Sequence, residues 1–477
     1  MLAAAGFAGA APAGATTLAE ALAATYVNNP TLAAQRAGLR ATDEQYGIVR
    51  AQGLPNAGVN GQLTQGVRNY QQFNGFGRIT QVGGSLSVPV WQGGRVKNAL
   101  RAADARVKSG QQSLRATEGD VFVQAVSAYM DVLRDRAIVD LNLNNVRVLE
   151  TNLQATNDRF QAGDLTRTDV AQSKARLEGA RSQLAAARAT LTASEENYRA
   201  TIGQAAGVLE QPPVMPLLPA DADRAEATAL DENPDIAAAA EQVMAYRADV
   251  SAARANRNPT VSASASESYY RYDDPAGGGL SGIRGGAVKG DYATVGATLT
   301  LPLYQGGLVG AQVRQAQAFE SQALEQQVAT ERQVVATVRA TFSNYRALID
   351  TERSSGEQVR ANTLALEGLR AEQSVGLRQV LDVLNGEQEL LSSKVTLVSA
   401  QHDAYISGFQ LLNAMGLVNY RRLGLAGGPL YDPQVHYART RRSISDFATD
   451  PTPVATTRPT YGPAVPPEIP PVTPLAK

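Results

Sequence analysis

Few side chains in this 477-residue sequence could carry catalytic or metal chemistry. The chain has two histidines, His402 and His436, and no cysteine, which excludes thiolate metal sites, catalytic thiols, disulfides and a lipidated N-terminal cysteine. No G-x-x-x-x-G-K-[ST] phosphate loop occurs, so any energy for work must come from a partner. His402 falls on a heptad helix and His436 near the tail, where structural or exposed roles are expected. The sequence therefore predicts neither an enzyme nor a cofactor.

The same unit occurs twice along the chain. The stretches SVPVWQGG at 87–94 and TLPLYQGG at 300–307 mark equivalent points at an offset of 213 residues. The offset also relates Gly163 to Gly376, Asp169 to Asp382, Val170 to Val383 and Gly203 to Gly416. Upstream, Pro30 pairs with Pro234 and Pro55 with Pro259 at an offset of 204, so the second copy carries nine extra residues before Pro302. Two halves in register indicate an internal duplication.

Each copy predicts a helix, a strand pair and a long helical hairpin. Apolar and polar residues alternate in the β-hairpins 56–90 and 260–303, whose strands of about 10 to 14 residues suit a tilted membrane strand. A soluble hairpin with one wet face would show the same pattern. After each QGG, apolar residues recur at seven-residue steps, which predicts supercoiled helices. In the first copy these positions are Ala125, Val132, Val139, Val146, Leu153 and Phe160, whereas Glu352 and Gln373 interrupt the second series.

These patterns divide the chain into five parts. They are a signal-peptide remnant at 1–15, a first repeat at 16–203 with a coiled-coil hairpin at 95–203, a linker at 204–223, a second repeat at 224–416 with a coiled-coil hairpin at 308–416, and a tail at 417–477. The remnant has an A-x-A-like site, although a merely Ala-rich disordered end is the alternative. The tail becomes rich in Pro and Thr, and we expect it to be largely disordered.

Charge and hydropathy limit the partners. With 44 basic and 45 acidic residues mixed along the chain, no nucleic-acid footprint appears. No run of about 20 apolar residues is present, so a membrane could be crossed only with strands. Four strands cannot close a barrel, and open sheet edges in lipid are costly, so closure needs strands from other chains. Three protomers would supply twelve strands and gather six helical hairpins into a water-filled tube.

The strand-end motifs, the helices containing Asn-Pro, and the hairpin tips RFQAGDLTRTDV and QSVGLRQVLDVL resemble the TolC family of outer-membrane export ducts. The resemblance covers about residues 16 to 420. It implies an α+β membrane protein in which each protomer contributes four transmembrane β-strands and long antiparallel coiled-coil hairpins to a trimeric 12-strand β-barrel continued by an α-barrel tunnel. It also implies a periplasmic adaptor, an inner-membrane ABC or RND transporter, and outer-membrane lipid as partners.

The resemblance further implies roles for residues at the tips, since family members are held shut there by polar links between neighbouring coils. Two departures from the family pattern occur: Gln373 stands where the family has tyrosine, and Asn385 replaces the second of two inward-facing acids. The implied residues are Thr168, Asp169, Arg378 and Gln373 for the gate, Asp382 and Asn385 for the tunnel constriction, and Gly163, Leu165, Gly376 and Leu377 for adaptor contact.

Each charged tip residue also has a purely local interpretation. Thr166-x-x-Asp169 fits a helix capping box, Asp382 suits a helix N-terminus, and Arg378 would be a solvated charge. At the level of function, the leading hypothesis is a passive exit duct for polypeptides (type I secretion) or small toxic compounds, with tunnel and tail in the periplasm and residues 273–290 outside the cell. The absence of an anchoring cysteine favours the secretion branch. A periplasmic adaptor or a structural coiled-coil protein is the alternative.

Overall fold

The computed structural model describes residues 15–65, 78–215, 218–273, 288–425 and 430–457. Over these ranges the chain forms two long helical hairpins, a four-stranded sheet at one end, and shorter helices beside the hairpins. The helices are α1 (Leu18–Asn28), α2 (Pro30–Ala51), α3 (Arg95–Gln161), α4 (Arg167–Ile202), α5 (Ala222–Glu232), α6 (Pro234–Ala255), α7 (Leu308–Ser374), α8 (Val380–Ala414) and α9 (Pro433–Arg442). The strands are β1 (Asn56–Gln65), β2 (Arg78–Trp91), β3 (Thr260–Asp273) and β4 (Val288–Thr300).

The two outgoing helices, α3 and α7, have the same length of 67 residues, which corresponds to about 100 Å. Both end at glycines in the left-handed region, Gly163 with φ +86° and Gly376 with φ +82°. A residue with a Cβ is disfavoured at that φ, so glycine is the residue that ends a helix in this way. The chain then reverses into α4 and α8. The duplication seen in the sequence therefore has a direct structural counterpart.

The heptad residues lie along the seams of the hairpins. The first seam buries Val146, Leu149, Leu177, Ala180 and Leu184, and the second buries Leu366, Val383 and Leu390. Phe160, the last residue of the first series, is 38% exposed because it lies at the tip. Apolar contacts at this spacing hold the returning helix against the outgoing one, so the hairpins do not depend on the polar residues at their tips.

The largest apolar core lies midway along the hairpins. Its biggest fully buried side chains include Tyr129 and Phe122 of α3, Tyr198 and Ile202 of α4, and Met415. The Tyr129 hydroxyl lies 2.8 Å from the carbonyl oxygen of Thr16 and 2.7 Å from that of Glu210. The N-terminal segment and the linker are thereby attached to the hairpin, and a short bridge between Thr16 and Leu209 completes the attachment.

The sheet is antiparallel in the order β1-β2-β3-β4, and its two faces differ in polarity. Because directly opposed residues share a face, the register sorts the side chains. One face carries Ala57, Val59, Leu63, Val82, Leu86, Val88, Val261, Ala263, Ala265, Val295, Ala297 and Leu299. The other carries Asn60, Gln62, Thr64, Gln81, Ser85, Ser87, Ser262, Ser264, Ser266, Thr294, Thr298 and Thr300. On β3 and β4 this face continues beyond Ala265 with the charged Glu267, Asp291 and Lys289, so on these two strands its apolar part is the part nearest the helices.

The described part of the C-terminal tail differs from the expectation that 417–477 is largely disordered. Tyr420 and Leu425 belong to the main core, α9 packs against α2, and the Tyr437 hydroxyl of α9 donates to Asp104 of α3. Asp432 caps α9 by accepting a hydrogen bond from the backbone N–H of Gln434, with Pro433 as its first residue. Composition hid this helix, since α9 is short and polar and is held by specific contacts to other parts of the chain. Two smaller differences are that α5 begins at Ala222, inside the predicted linker, and β4 ends at Thr300, before Pro302.

Several expectations lie outside the described residues. They are the signal-peptide remnant up to residue 14, residues 66–77 of the first β-hairpin, residues 274–287 of the second, and the tail beyond residue 457. Among the helices that the structure describes, none combines the length and the apolar character that a membrane span requires.

Candidate functional site at the hairpin tips

The first tip is fixed by a reciprocal cap at the start of α4. The Thr166 hydroxyl oxygen accepts a hydrogen bond from the Asp169 backbone N–H at 3.3 Å, and Asp169 Oδ2 accepts from the Thr166 backbone N–H at 2.9 Å. The Thr166 hydroxyl also lies 2.7 Å from Asp169 Oδ2. These bonds from Thr166 lower the pKa of the exposed Asp169 carboxyl. The local interpretation of Asp169 as a cap is therefore correct, and Thr168 lies exposed beside it.

The second tip is held differently. Arg378 Nε donates to Glu372 Oε2 at 2.7 Å, an ion pair across the turn that raises the pKa of the Arg378 guanidinium. Asp382 Oδ2 accepts from the Gln379 backbone N–H at 3.3 Å, which is longer than the 2.9 Å of the equivalent bond to Asp169. Its turn also presents Val375 and Leu377, which are 69% and 76% exposed.

Within one protomer, the predicted gate residues are not brought together as a pair. The ion pair of Arg378 is with Glu372, on its own hairpin, and Asp169 is engaged with Thr166. One predicted constriction residue does join the hairpins: Arg176 Nη2 of α4 donates to Asn385 Oδ1 of α8 at 2.8 Å. Gln373 is half-buried, and its carbonyl oxygen accepts from the Gly376 N–H at 3.0 Å.

Sequence reasoning missed Arg176 and Glu372. Glu372 lies six residues before Arg378, on the other side of the turn, so helical spacing gives no signal for the pair. Arg176 meets Asn385 only because α4 and α8 lie side by side, which is a property of the tertiary packing. Leu165 is half-buried, and Gly163 and Gly376 have open space around them, so the turns themselves are accessible.

A second polar cluster lies within the fold, where α3, α4 and α8 meet. The ring nitrogens of His402 lie 2.8 Å from Asp131 Oδ1 and from Asp403 Oδ1. Arg134 Nε donates to the buried Asp135 at 2.7 Å, and the Ser194 hydroxyl also donates to Asp135. Burial alone would raise the pKa of Asp131, but the hydrogen bond with His402 and the charge of Arg134 outweigh it, and the net pKa is lowered. His402 therefore has a structural role in this cluster.

In the described ranges, the structure brings together no set of three or more His, Asp or Glu side chains suited to a metal ion. The protomer is elongated. Two helical hairpins lie side by side, a sheet with one apolar and one polar face lies at one end, and charged, exposed turns lie at the other.

Comparison with known proteins agrees with that geometry. The family model described as outer membrane efflux protein matches residues 21–204 and 227–417, which covers both repeats. This chain belongs to the outer membrane efflux protein family. The resemblance predicted from the motifs is confirmed, and the chain is an outer-membrane channel protein, an exit duct rather than an enzyme.

Individual relatives support the assignment along nearly the full length. The chain is 31% identical over 421 residues to the outer membrane efflux protein BepC of Brucella suis, covering 88% of this chain and 90% of the relative. It is 25% identical over 422 residues to the outer membrane protein TolC of Escherichia coli, covering 85% and 83%. Among solved structures, CusC superposes with a TM-score of 0.71 at 18% identity, covering 84% of this chain and 92% of that chain, which shows a shared fold. The channels of this family are trimeric and work with periplasmic adaptors and inner-membrane pumps.

Proposed function

We propose that three copies of this chain form a duct with a twelve-strand barrel in the outer membrane and a helical tunnel in the periplasm. The proposal rests on a difference between the equivalent helices α2 and α6: α6 is covered by long helices of both repeats, and α2 is not. In the second repeat, α6 packs between α3 and its own α7. In the first repeat, α2 packs on its own α3 and on α9. Among the described residues, α2 has no second long helix beside it, whereas α6 has α3 in that position.

The duplication indicates which helix fills that place. α2 corresponds to α6 and α7 corresponds to α3, so α7 of a neighbouring protomer would lie beside α2. α7 carries exposed apolar side chains that such a contact would cover, including Phe319 at 46% and Leu364 at 70% exposure. The contact is head-to-tail, and rings form when its rotation closes. The free edges β1 and β4 would pair head-to-tail in the same way, with β4 of one protomer beside β1 of the next. An open edge within lipid would leave backbone groups unpaired.

The tips would form the closed end of the duct and the place where the adaptor docks. Gly163 and Leu165 in the first turn, and Gly376 and Leu377 in the second, are the proposed contacts for a periplasmic adaptor. Asp169 with Thr168, and Arg378 with Gln373, would link neighbouring coils when the duct is closed. Asp382 would contribute negative charge at the constriction, while Asn385 is engaged with Arg176.

The pump would be an inner-membrane ABC or RND transporter, and it would supply the energy. The matched relatives include an efflux protein and the alkaline protease secretion protein AprF of Pseudomonas aeruginosa. Both cargo classes, small toxic compounds and secreted polypeptides, are compatible with a passive duct. Because passage is passive, the cargo would be chosen by the pump and its adaptor.

Introduced cysteines test the trimer, since the natural chain has none. Arg106 of α3 pairs with Asp249 of α6, and the repeat offsets convert this contact into Phe319 of one protomer beside Gln45 of the next. Oxidation of a Gln45→Cys, Phe319→Cys variant should give a covalent species of three protomers. The matched control is Gln45→Cys with Ser321→Cys, on the opposite face of α7, which should not cross-link. Cross-linking in the control alone, or an open ladder of products, would contradict the closed ring.

A further inference from the structure

Four helix ends meet at one end of the sheet. Trp91, at the end of β2, lies opposite Val261 of β3, and Thr260 of β3 lies opposite Thr300 of β4, so the junctions with α2, α3, α6 and α7 lie at the same end of the sheet. Side-chain bonds connect them: Arg95 Nη1 donates to Gln52 Oε1 at 3.0 Å, and Asn258 Nδ2 donates to the Gly93 carbonyl at 2.7 Å. These junctions form one continuous layer beneath the strands.

This layer is rich in basic side chains. The stretches 46–55, 91–101, 250–259 and 301–314 contain seven basic residues and no Asp or Glu, although acidic residues slightly outnumber basic ones in the whole chain. A helix rises 1.5 Å per residue, so all seven lie within roughly 10 Å of the helix ends that face the sheet. The acidic residues in the next turns of these helices are paired with other basic side chains: Asp43 and Glu44 with His436, Asp104 with Lys108, Asp249 with Arg106, and Glu320 with Arg247. We call this set the basic collar: Arg50, Arg95, Lys97, Arg101, Arg254, Arg257 and Arg314.

The charges of the basic collar are not neutralised within the protomer. Five of the seven side chains are exposed, and the half-buried Arg50 and Arg95 donate to neutral oxygens, those of the Arg441 carbonyl and the Gln52 side chain among them. Every ion pair in the described part of the chain uses some other cation. At the hairpin tips, by contrast, Asp169, Glu372 and Asp382 accompany Arg378.

The only tryptophan of the chain lies at the same level, on the apolar face of the sheet. A register shift between Pro89 and Trp91 places Trp91 opposite Val261, whose face also carries Ala263 and Leu299. Trp91 is 47% exposed, and β2 is an interior strand, so a neighbouring protomer that pairs with a sheet edge would not cover it. Tryptophan at the end of an apolar band marks a membrane–water interface.

We propose that the basic collar binds the anionic headgroups of phospholipids in the periplasmic leaflet of the outer membrane. The inference rests on the proposed function, because it takes the sheet to be the membrane part. Lys and Arg are attracted to anionic lipid surfaces over about one Debye length, roughly 10 Å, and Arg pairs with phosphate in a bidentate manner. Repetition by the trimer would surround the barrel with a continuous positive ring that fixes its depth.

Trp91 provides the assay, because all tryptophan fluorescence of the protein comes from this layer. The trimer is reconstituted in vesicles in which either phosphatidylglycerol or phosphatidylcholine is brominated, at the same mole fraction, and quenching of Trp91 is compared. We expect an enrichment of the anionic lipid beside Trp91 of about fivefold, the preference given by a single well-placed cation, and a decrease at high salt. Equal quenching by the two lipids would overturn the inference.

A variant with Lys97, Arg254, Arg257 and Arg314 replaced by Gln should lose the preference. The matched control replaces Lys174, Arg188, Arg332 and Arg346, exposed cations outside the basic collar without a carboxylate partner, and should keep it. Loss of the trimer in the first variant would contradict the proposal by assigning these cations to contacts between protomers. Inhibition of the preference by inorganic phosphate at low millimolar concentration would contradict it by revealing a site for soluble anions. If no brominated lipid quenches Trp91, the membrane role of the sheet fails, which is a different result from equal quenching.

Discussion

The helices α3 and α7 are equivalent in the duplication and equal in length, yet their surroundings differ. α3 buries residues along most of its length against α2, α4, α6 and α8, whereas α7 buries far fewer and leaves Phe319 and Leu364 exposed. One copy of the repeat has become the centre of the protomer and the other its edge. The difference supports the proposal that a neighbouring protomer covers the second copy's apolar positions.

Equivalent residues of α3 and α7 also differ in burial and in chemistry. Tyr129 of α3 is fully buried, and Phe342, its counterpart in α7, is only partly buried. The charged cluster of Asp131 and Asp135 in α3 is replaced in α7 by Asn344 and Leu348. At these equivalent positions, α3 thus carries an ion-pair cluster and a buried hydroxyl, while α7 carries apolar and neutral side chains.

The largest expected effect is at Tyr129. Tyr129→Ala should destabilise the folded protein by about 3 to 5 kcal/mol, because it removes a fully buried aromatic side chain and the anchor of Thr16 and Glu210. Phe342→Ala should cost clearly less, since its site is partly open. Thermal dissociation of the purified trimer, followed by gel electrophoresis, measures both. Equal losses at the two sites would show that α3 and α7 do not differ in burial within the assembled duct.

The next effect is at the charged cluster. His402→Leu should destabilise by about 1.5 to 3 kcal/mol, since Asp131 loses a hydrogen bond to its carboxylate. Asn344→Ala, at the position equivalent to Asp131, tests the neutral counterpart and should cost less.

The cluster also predicts a pH dependence. The folded state lowers the pKa of Asp131 below its ordinary value of 3.8. Its contribution is fully present above that value and is lost as pH falls through the lower, folded pKa. The trimer should therefore lose thermal stability on acidification through this range, and His402→Leu should lose less. An unchanged acid dependence in the variant would contradict the assignment.

A smaller effect is expected where α9 covers α2. His436 Nδ1 lies 2.9 Å from Asp43 Oδ2, and Asp43 is fully buried, which raises its pKa despite the opposing effect of His436. His436→Ala should cost about 1 to 3 kcal/mol, because the buried Asp43 loses this hydrogen-bond partner. Among the described residues, truncation after Thr449 removes the exposed pair of Arg439 with Asp450, and it should leave the trimer within about 1 kcal/mol of the natural chain. A greater loss on truncation than with His436→Ala would show that the distal tail, rather than α9, stabilises the protomer.

The sequence was informative where a pattern repeats. Heptad spacing after each QGG predicted the long helices α3 and α7, and alternation predicted the strand faces, because both are local periodicities. Two features depend on how elements pack and pair, so no local sequence pattern predicts them. They are the contact of Arg176 with Asn385 and the bulge that places Trp91 opposite Val261. At the tips, the cap at Asp169 was predictable from Thr166, but the Glu372 partner of Arg378 was not.

At the tips, Asp382→Ala tests the constriction. Its weak cap bond suggests a loss of only about 0.3 to 1 kcal/mol of stability. Block of single-channel current by polyvalent cations should nevertheless decrease, since three carboxylates are lost from the trimer and Asn385 supplies no second charge. Asn385→Ala serves as the control and should leave the block unchanged. Undiminished block in Asp382→Ala would place the carboxylates away from the ion path.

We propose that links between neighbouring hairpins close the duct at its tips. Exposed pairs are worth about 0 to 1 kcal/mol each, so three copies could bias opening by up to roughly 3 kcal/mol, about a hundredfold in population. The most direct measurement is single-channel conductance in planar bilayers of the Arg378→Ser, Asp169→Ala variant against the natural trimer. We predict a clear rise in conductance at nearly unchanged thermal stability, and low conductance in the control Glu372→Gln, which leaves Arg378 free to reach Asp169. Unchanged conductance in the double variant would contradict the gate and leave Asp169 as a helix cap alone.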